Sequence, residues 1–142
     1  MDNSKYITTE QFTKRLGDLC LKSGMSGLPK DESDQHILLK SMTLQFDAAA
    51  RFSEQQVNEK LAYWCNNLSQ IKDLDHVTLR RRLVDAGYLL RSSDGSSYQV
   101  ALTGPYQPTF EEGILQVEVE AVLQAKKDEI ERRKQEFMAR KK

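Results

Sequence analysis

The chain has 142 residues, 39% hydrophobic and 30% charged, with 21 Lys+Arg balanced by 21 Asp+Glu. That length fits one domain of ordinary size with appendages, and the charge-rich composition predicts one modest core plus some solvated helix. Zero net charge excludes a protein that coats nucleic acid by bulk charge, which needs a clearly basic domain.

The opening residues Met1-Asp2-Asn3-Ser4-Lys5-Tyr6 have no apolar run behind them, so no signal peptide is expected. No stretch approaches the roughly 18 apolar residues of a membrane helix. Cys20 and Cys65 sit in separate apolar helical contexts and read as small buried hydrophobes rather than a disulfide. Together these features predict a cytoplasmic protein without a membrane partner.

Residues 1–27 hold one amphipathic helix, with Phe12, Leu16, Leu19 and Cys20 at helical spacing. Thr8 or Thr9 is its expected N-cap, and Gly24 to Pro29 read as a turn. The helix is too short to be a domain and is expected to pack on the elements C-terminal to it.

Residues 28–103 carry most of the information. Carboxylates at Asp31, Glu32 and Asp34 suit a helix start, and Ile37, Leu38, Met42, Leu44 and Phe46 give its apolar face up to Asp47. Ser53-Glu54-Gln55-Gln56 is a capping box for a second helix bearing Val57, Leu61, Trp64, Cys65 and Leu68. Asp75 is the N-cap candidate of a third helix, which runs from His76 to Ala86 and ends at Gly87, suited to the left-handed C′ position. Two short strand-like runs, 88–91 and 97–100, flank Ser92-Ser93-Asp94-Gly95-Ser96 and signal a β-hairpin with Gly95 in its turn. Arg51-Phe52, just before the second helix, is short and apolar enough for a small third strand. The expected fold is therefore mainly α with a small hairpin (α+β): a winged helix-turn-helix core with an N-terminal helix and a long C-terminal helix. In such a core the third helix is the one able to enter a DNA major groove.

The runs Phe52-Ser53-Glu54-Gln55-Gln56-Val57-Asn58, Asp75-His76-Val77-Thr78-Leu79-Arg80-Arg81-Arg82-Leu83-Val84-Asp85, Gly87-Tyr88-Leu89-Leu90-Arg91 and Asp94-Gly95-Ser96-Ser97-Tyr98 closely resemble a bacterial family known as domain of unknown function 2087. The resemblance covers about residues 28–100. It implies a bacterial, cytoplasmic, winged-helix-like module, sometimes joined to helix-turn-helix regulators, and no known activity. This chain has Phe52 where family members often carry an aromatic hydroxyl, and Arg82 where the family varies more.

On a helical wheel, Leu79, Leu83 and Ala86 mark the buried stripe of the third helix, and Val77 and Val84 widen it on one side. Arg80 falls inside that arc and reads as a half-buried structural arginine paired with Glu54, Glu59 or Asp85, because an unpaired buried charge is costly. Thr78, Arg81 and Arg82 fall on or near the solvent side. Two readings fit them: a DNA-reading face, where arginine grips guanine or phosphate, or a plain solvated face beside Asp85. Arg91, Ser93 and Ser96 would extend such an interface onto the wing, although small hydroxyls also make ordinary turns. Asp94 at the tip opposes phosphate, and its turn chemistry explains its presence. Ser53, Gln56, Asp75, Arg80, Gly87 and Gly95 carry structural roles, and His76, just after the cap, either stacks on the turn before it, the favoured reading, or faces a phosphate.

Residues 104–142 open with a stiff Gly104-Pro105-Tyr106-Gln107-Pro108 linker, followed by a second capping-box pattern at Thr109-Phe110-Glu111-Glu112. A helix is expected over about 115–139, with the alternation of 114–121 leaving a short strand as the alternative. Leu123, Ile130 and Phe137 recur every seven residues, but Lys126, Lys127 and Lys134 break a coiled-coil seam. The basic tail from Arg132 to Lys142 reads as a solvated helix end that complements the dipole.

No metal-binding, phosphate-loop or redox motif is present, and with His36 and His76 the only histidines a non-enzyme without cofactor or metal is expected. Residues 1–29 carry four basic and three acidic groups, 30–100 nine and ten, and 101–142 eight and eight. The candidate DNA-binding region is thus faintly acidic, with its positive charge gathered in Arg80, Arg81, Arg82 and Arg91. The leading expectation is a transcriptional regulator or accessory factor that binds double-stranded DNA through a local, salt-sensitive contact. The alternative is a protein–protein module whose C-terminal helix binds another protein or a second copy.

Overall fold

A computed structural model describes residues 6–141, so the expectations placed on residues 1–5 and on Lys142 lie outside the described residues. Among these, the fold is mainly helical: β1 (Tyr6–Ile7), α1 (Thr9–Leu21), α2 (Glu32–Thr43), α3 (Glu54–Tyr63), α4 (His76–Asp85), β2 (Leu89–Arg91), β3 (Tyr98–Val100), β4 (Thr109–Phe110) and α5 (Val119–Arg140). A wide π-helical turn, Trp64–Leu68, extends α3, and a 3-10 turn, Glu112–Gln116, precedes α5.

Helix α2 is the centre. Every residue from His36 to Thr43 is buried, so it is enclosed on all sides rather than along one stripe. Asp31 caps it by accepting the Asp34 N–H, and it ends at Thr43, short of the apolar run; Leu44 to Phe46 complete the run in tighter turns that still deliver Phe46 to the core. Helix α1 lies against α2, fixed at its edge by the Arg15 guanidinium donating twice to Asp34, at 3.1 and 2.9 Å. Thr8 is the α1 cap.

The capping box at Ser53 and Gln56 has both of its reciprocal bonds, 3.1 and 2.8 Å. Ser53→Ala should lower the unfolding free energy by about 1 kcal/mol, read in a denaturant titration, because the Gln56 N–H in the first α3 turn then loses its acceptor. Trp64, at the start of the π turn, is fully buried and donates its indole N–H to Ser41 Oγ at 3.1 Å.

Asp75 caps α4 through the Thr78 N–H. At the other end Gly87 takes φ +81°, and the Tyr88 N–H reaches Leu83 O while the Gly87 N–H reaches Val84 O, the paired bonds of a Schellman ending. The chain then enters the β2–β3 hairpin, registered Leu89 with Val100 and Arg91 with Tyr98. Phe52 pairs with Tyr98 by two backbone bonds of 2.8 and 2.7 Å, so a single residue before α3 takes the place of the expected third strand.

The C-terminal third departs from expectation in three ways. Thr109-Phe110 forms a strand, not a cap: it pairs in parallel with Tyr6-Ile7, and Glu111 accepts the Thr9 N–H at 2.6 Å, serving the start of α1. The residues after Gly104 are tied down, since the Gln107 side chain donates to both Gly87 O and Ala101 O. Helix α5 begins at Val119 rather than near 115, and residues 114–121 form no strand, because Ile114 is buried from the 3-10 turn and Val119 from the helix.

Helix α5 docks and then projects. Val119 and Leu123 are buried, and Lys126 lays its stem over Gly17 with its ammonium 3.7 Å from Asp18. From residue 130 to 141 every side chain is exposed, including Ile130, Phe137 and Met138. No described helix is long and apolar enough to cross a membrane.

Candidate nucleic-acid interface

The site is built on α4, whose Leu79 and Leu83 face the core while Thr78, Arg81 and Asp85 stand exposed along one strip. The strip arises from helical spacing, since residues three, four and seven apart share a face. Thr78 is already engaged: its N–H and hydroxyl both donate to the Asp75 carboxylate, at 2.8 and 3.0 Å. Those bonds, the backbone one foremost, hold Asp75 below the usual carboxylate range.

The three consecutive arginines have three different fates. Arg80 is only 14% exposed, donates to Asn58 Oδ1, and lies 3.8 Å from a Glu54 carboxylate oxygen. Arg81 is exposed and forms no ion pair or side-chain hydrogen bond among the described residues. Arg82 is half-buried and donates to Gln35 Oε1 on α2 at 3.1 Å. This corrects the solvent-facing placement of Arg82: its long side chain reaches a polar group on another helix, which a wheel of one helix does not contain.

In the hairpin the Asp94 carboxylate accepts from the Ser96 N–H and from the hydroxyls of Ser92 and Ser96, which holds its pKa down to about 2. The Ser96 hydroxyl therefore serves the turn as a donor. Ser93 is exposed. Gly95 takes φ +75°, a conformation that favours glycine, and the Arg91 guanidinium lies over it in the space a Cβ would fill. Arg91 is exposed and, like Arg81, has no ion pair among the described residues. His76 is half-buried beside the α4 cap, while the other histidine, His36, is buried on α2 with Nδ1 2.7 Å from the Tyr88 hydroxyl.

Arg80, Arg81 and Arg91 come together with Glu54, Val84, Asp85 and Tyr98 around one depression of about 370 Å³ between α4 and the hairpin. Thr78, Arg82, Ser93 and Ser96 do not line it. Arg80 is half-buried beside Glu54, one of the three acids its sequence position suggested, whereas Asn58 and, for Arg82, Gln35 were not foreseen. Asn58 was within reach of sequence reasoning, because Glu54 and Asn58 are one helical turn apart on α3 and offer a joint acceptor pair; Gln35 carries no such signal. No group of three or more His, Cys, Asp or Glu among the described residues is placed to hold a metal ion.

The fold and site define a small, mainly helical domain with a hairpin beside its exposed arginine-bearing helix, extended by a long C-terminal helix. Residues 25–100 match the model of the family described as "Uncharacterized protein conserved in bacteria (DUF2087)", and the chain belongs to that family. Neither the curated proteins nor the solved structures give a match.

Proposed function

We propose that the chain is a winged-helix protein that binds double-stranded DNA, as a transcriptional regulator or accessory factor, with α4 in the major groove and the β2–β3 hairpin against the backbone. The order of α2, the Phe52 bridge, α3, α4 and the hairpin supports that architecture. The observation that carries the binding reading is the pair Arg81 and Arg91, which reach one depression from two elements without a carboxylate partner among the described residues. Two exposed guanidinium groups at one depression, neither in an ion pair among the described residues, give a local positive field that attracts a polyanion. Asp85 on the same strip weakens simple phosphate binding but can accept from a cytosine amino group.

Fluorescence anisotropy with a mixed duplex library at low and physiological salt tests this. Binding should be detectable at about 50 mM salt and weaken steeply toward 200 mM. Arg81→Ala should weaken it about five- to a hundredfold while leaving the melting temperature unchanged, since the side chain is exposed and makes no ion pair or side-chain hydrogen bond among the described residues. Absence of binding at low salt rejects the reading.

A second reading, partner binding through α5, is favoured by Ile130, Phe137 and Met138, which lie 46%, 57% and 62% exposed on its projecting half. Light scattering on the full chain tests self-association: a dimer mass abolished by Ile130→Glu with Phe137→Glu supports it, and a monomer mass at high concentration rejects it. Removing everything after Gly104 would be no test, because that cut takes away buried Ile114, Val119 and Leu123.

A further inference from the structure

We infer that the depression between α4 and the hairpin is a phosphate pocket that takes one phosphoryl group between the guanidinium groups of Arg81 and Arg91. Its third arginine is fixed rather than free: Arg80 is held at the wall by Asn58 and Glu54. Glu54 Oε1 in turn accepts from the Tyr98 hydroxyl at 3.3 Å and faces Arg80, so part of its charge is met within the wall. Arg81 and Arg91 retain their full set of donors, and two guanidinium groups presented from different elements can each make a forked contact to phosphate oxygens.

The remaining lining narrows the ligand. Asp85 has no partner among the described residues and stands at the same depression, so it disfavours a bare, symmetric anion and favours a phosphate ester with a hydroxyl or amino donor nearby. Val84 and the Tyr98 ring add an apolar wall. A volume of about 370 Å³ leaves room beyond the phosphoryl group and falls in the range of small-molecule sites. The ligand is thus a phosphate ester with an attached sugar-sized polar group. Two sources supply that chemistry: a nucleotide unit of a bound duplex, or a free phosphorylated small molecule that would compete with DNA for the same arginines. Only the first rests on the DNA-binding reading.

The test is NMR titration of the full-length, nitrogen-labelled protein with inorganic phosphate and with ribose 5-phosphate, each at ionic strength matched with sodium chloride. The expected result is saturable movement of the Arg81 and Arg91 side-chain signals, with ribose 5-phosphate at least about tenfold tighter than phosphate, and about tenfold weaker binding in either Arg81→Gln or Arg91→Gln. Both residues are exposed, so the variants keep the fold, and Lys127→Gln on α5 controls for general charge. Movement that does not saturate, that chloride reproduces, or that survives both arginine variants overturns the pocket. A duplex that displaces ribose 5-phosphate identifies the backbone as one source. Ribose 5-phosphate binding without duplex binding keeps the pocket and rejects the DNA reading; duplex binding with unmoved arginine signals under both small ligands does the reverse.

Discussion

Trp64→Ala should lower the unfolding free energy by about 3–5 kcal/mol, a large part of the 5–15 kcal/mol that holds a typical domain together. At this chain length that corresponds to a melting temperature lower by roughly 3 °C per kcal/mol, or about 10–15 °C. Two effects add. The indole is fully buried against α2, and its loss leaves a cavity where the π turn joins the core. Its N–H also satisfies Ser41 Oγ, which itself donates to Leu38 O at 2.6 Å inside the most enclosed helix of the protein. Trp64→Phe refills most of the volume without the N–H and should lose less than half as much. Since this is the only tryptophan, the measurement is denaturation followed by circular dichroism. A loss below about 1 kcal/mol for the alanine variant would mean the turn collapses onto the gap and Trp64 is not the anchor of α3.

Lys40→Met should stabilise the protein by about 1–3 kcal/mol at neutral pH, an unusual direction for a core substitution. Lys40 is 1% exposed, and its ammonium has the face of Phe110 at 5.1 Å but no ion pair or side-chain hydrogen bond among the described residues. Burial lowers its pKa from the ordinary 10.5, because the charged form is the one deprived of water. Methionine keeps the unbranched stem and the aromatic contact and removes the amine. The sign with pH is set by the proton count. Between the lowered folded value and 10.5 the unfolded chain holds more protons, so this group's contribution improves as pH rises, and its penalty is complete only below the folded value. The advantage of Lys40→Met is therefore largest at neutral pH and shrinks as pH approaches 10.5. Cys20, pushed up to about 12 by burial, and Tyr88, also raised by burial, work in the opposite direction above about pH 9. They are common to both proteins and cancel in the difference. Paired urea titrations from about pH 6 to 10 measure it; a difference that is negative, or that grows with pH, removes the buried-amine account.

The capping residues show which features are legible in a chain. Asp75 and Gly87 bound α4 and Ser53 with Gln56 opens α3 through bonds to residues no more than five positions away, and the chemistry of such bonds is set by local residue types. The hairpin is similarly local, its Asp94 and Gly95 acting on neighbours two to four positions off. The β1–β4 pair is different. Strands of two residues have no period to read, and the Glu111 to Thr9 bond that locks them spans 102 positions. The same Thr109-Phe110-Glu111-Glu112 letters fit a helix cap until that partner is known. Length misled at α5: the alternation over 114–121 is real, but its apolar residues are divided between the 3-10 turn and the helix.

Helix periodicity, caps and composition are properties of short windows, and they suffice for a mainly helical domain with a hairpin and a long charged C-terminal helix. They also suffice to gather the positive charge at positions 80–82 and 91. Which of those arginines are available is a matter of tertiary packing alone. Arg80 is taken by Glu54 and Asn58 from α3 and Arg82 by Gln35 from α2, while Arg81 and Arg91 remain together at one depression. A guanidinium carries the same charge wherever it stands; whether that charge is met depends on groups brought to it from elsewhere in the chain.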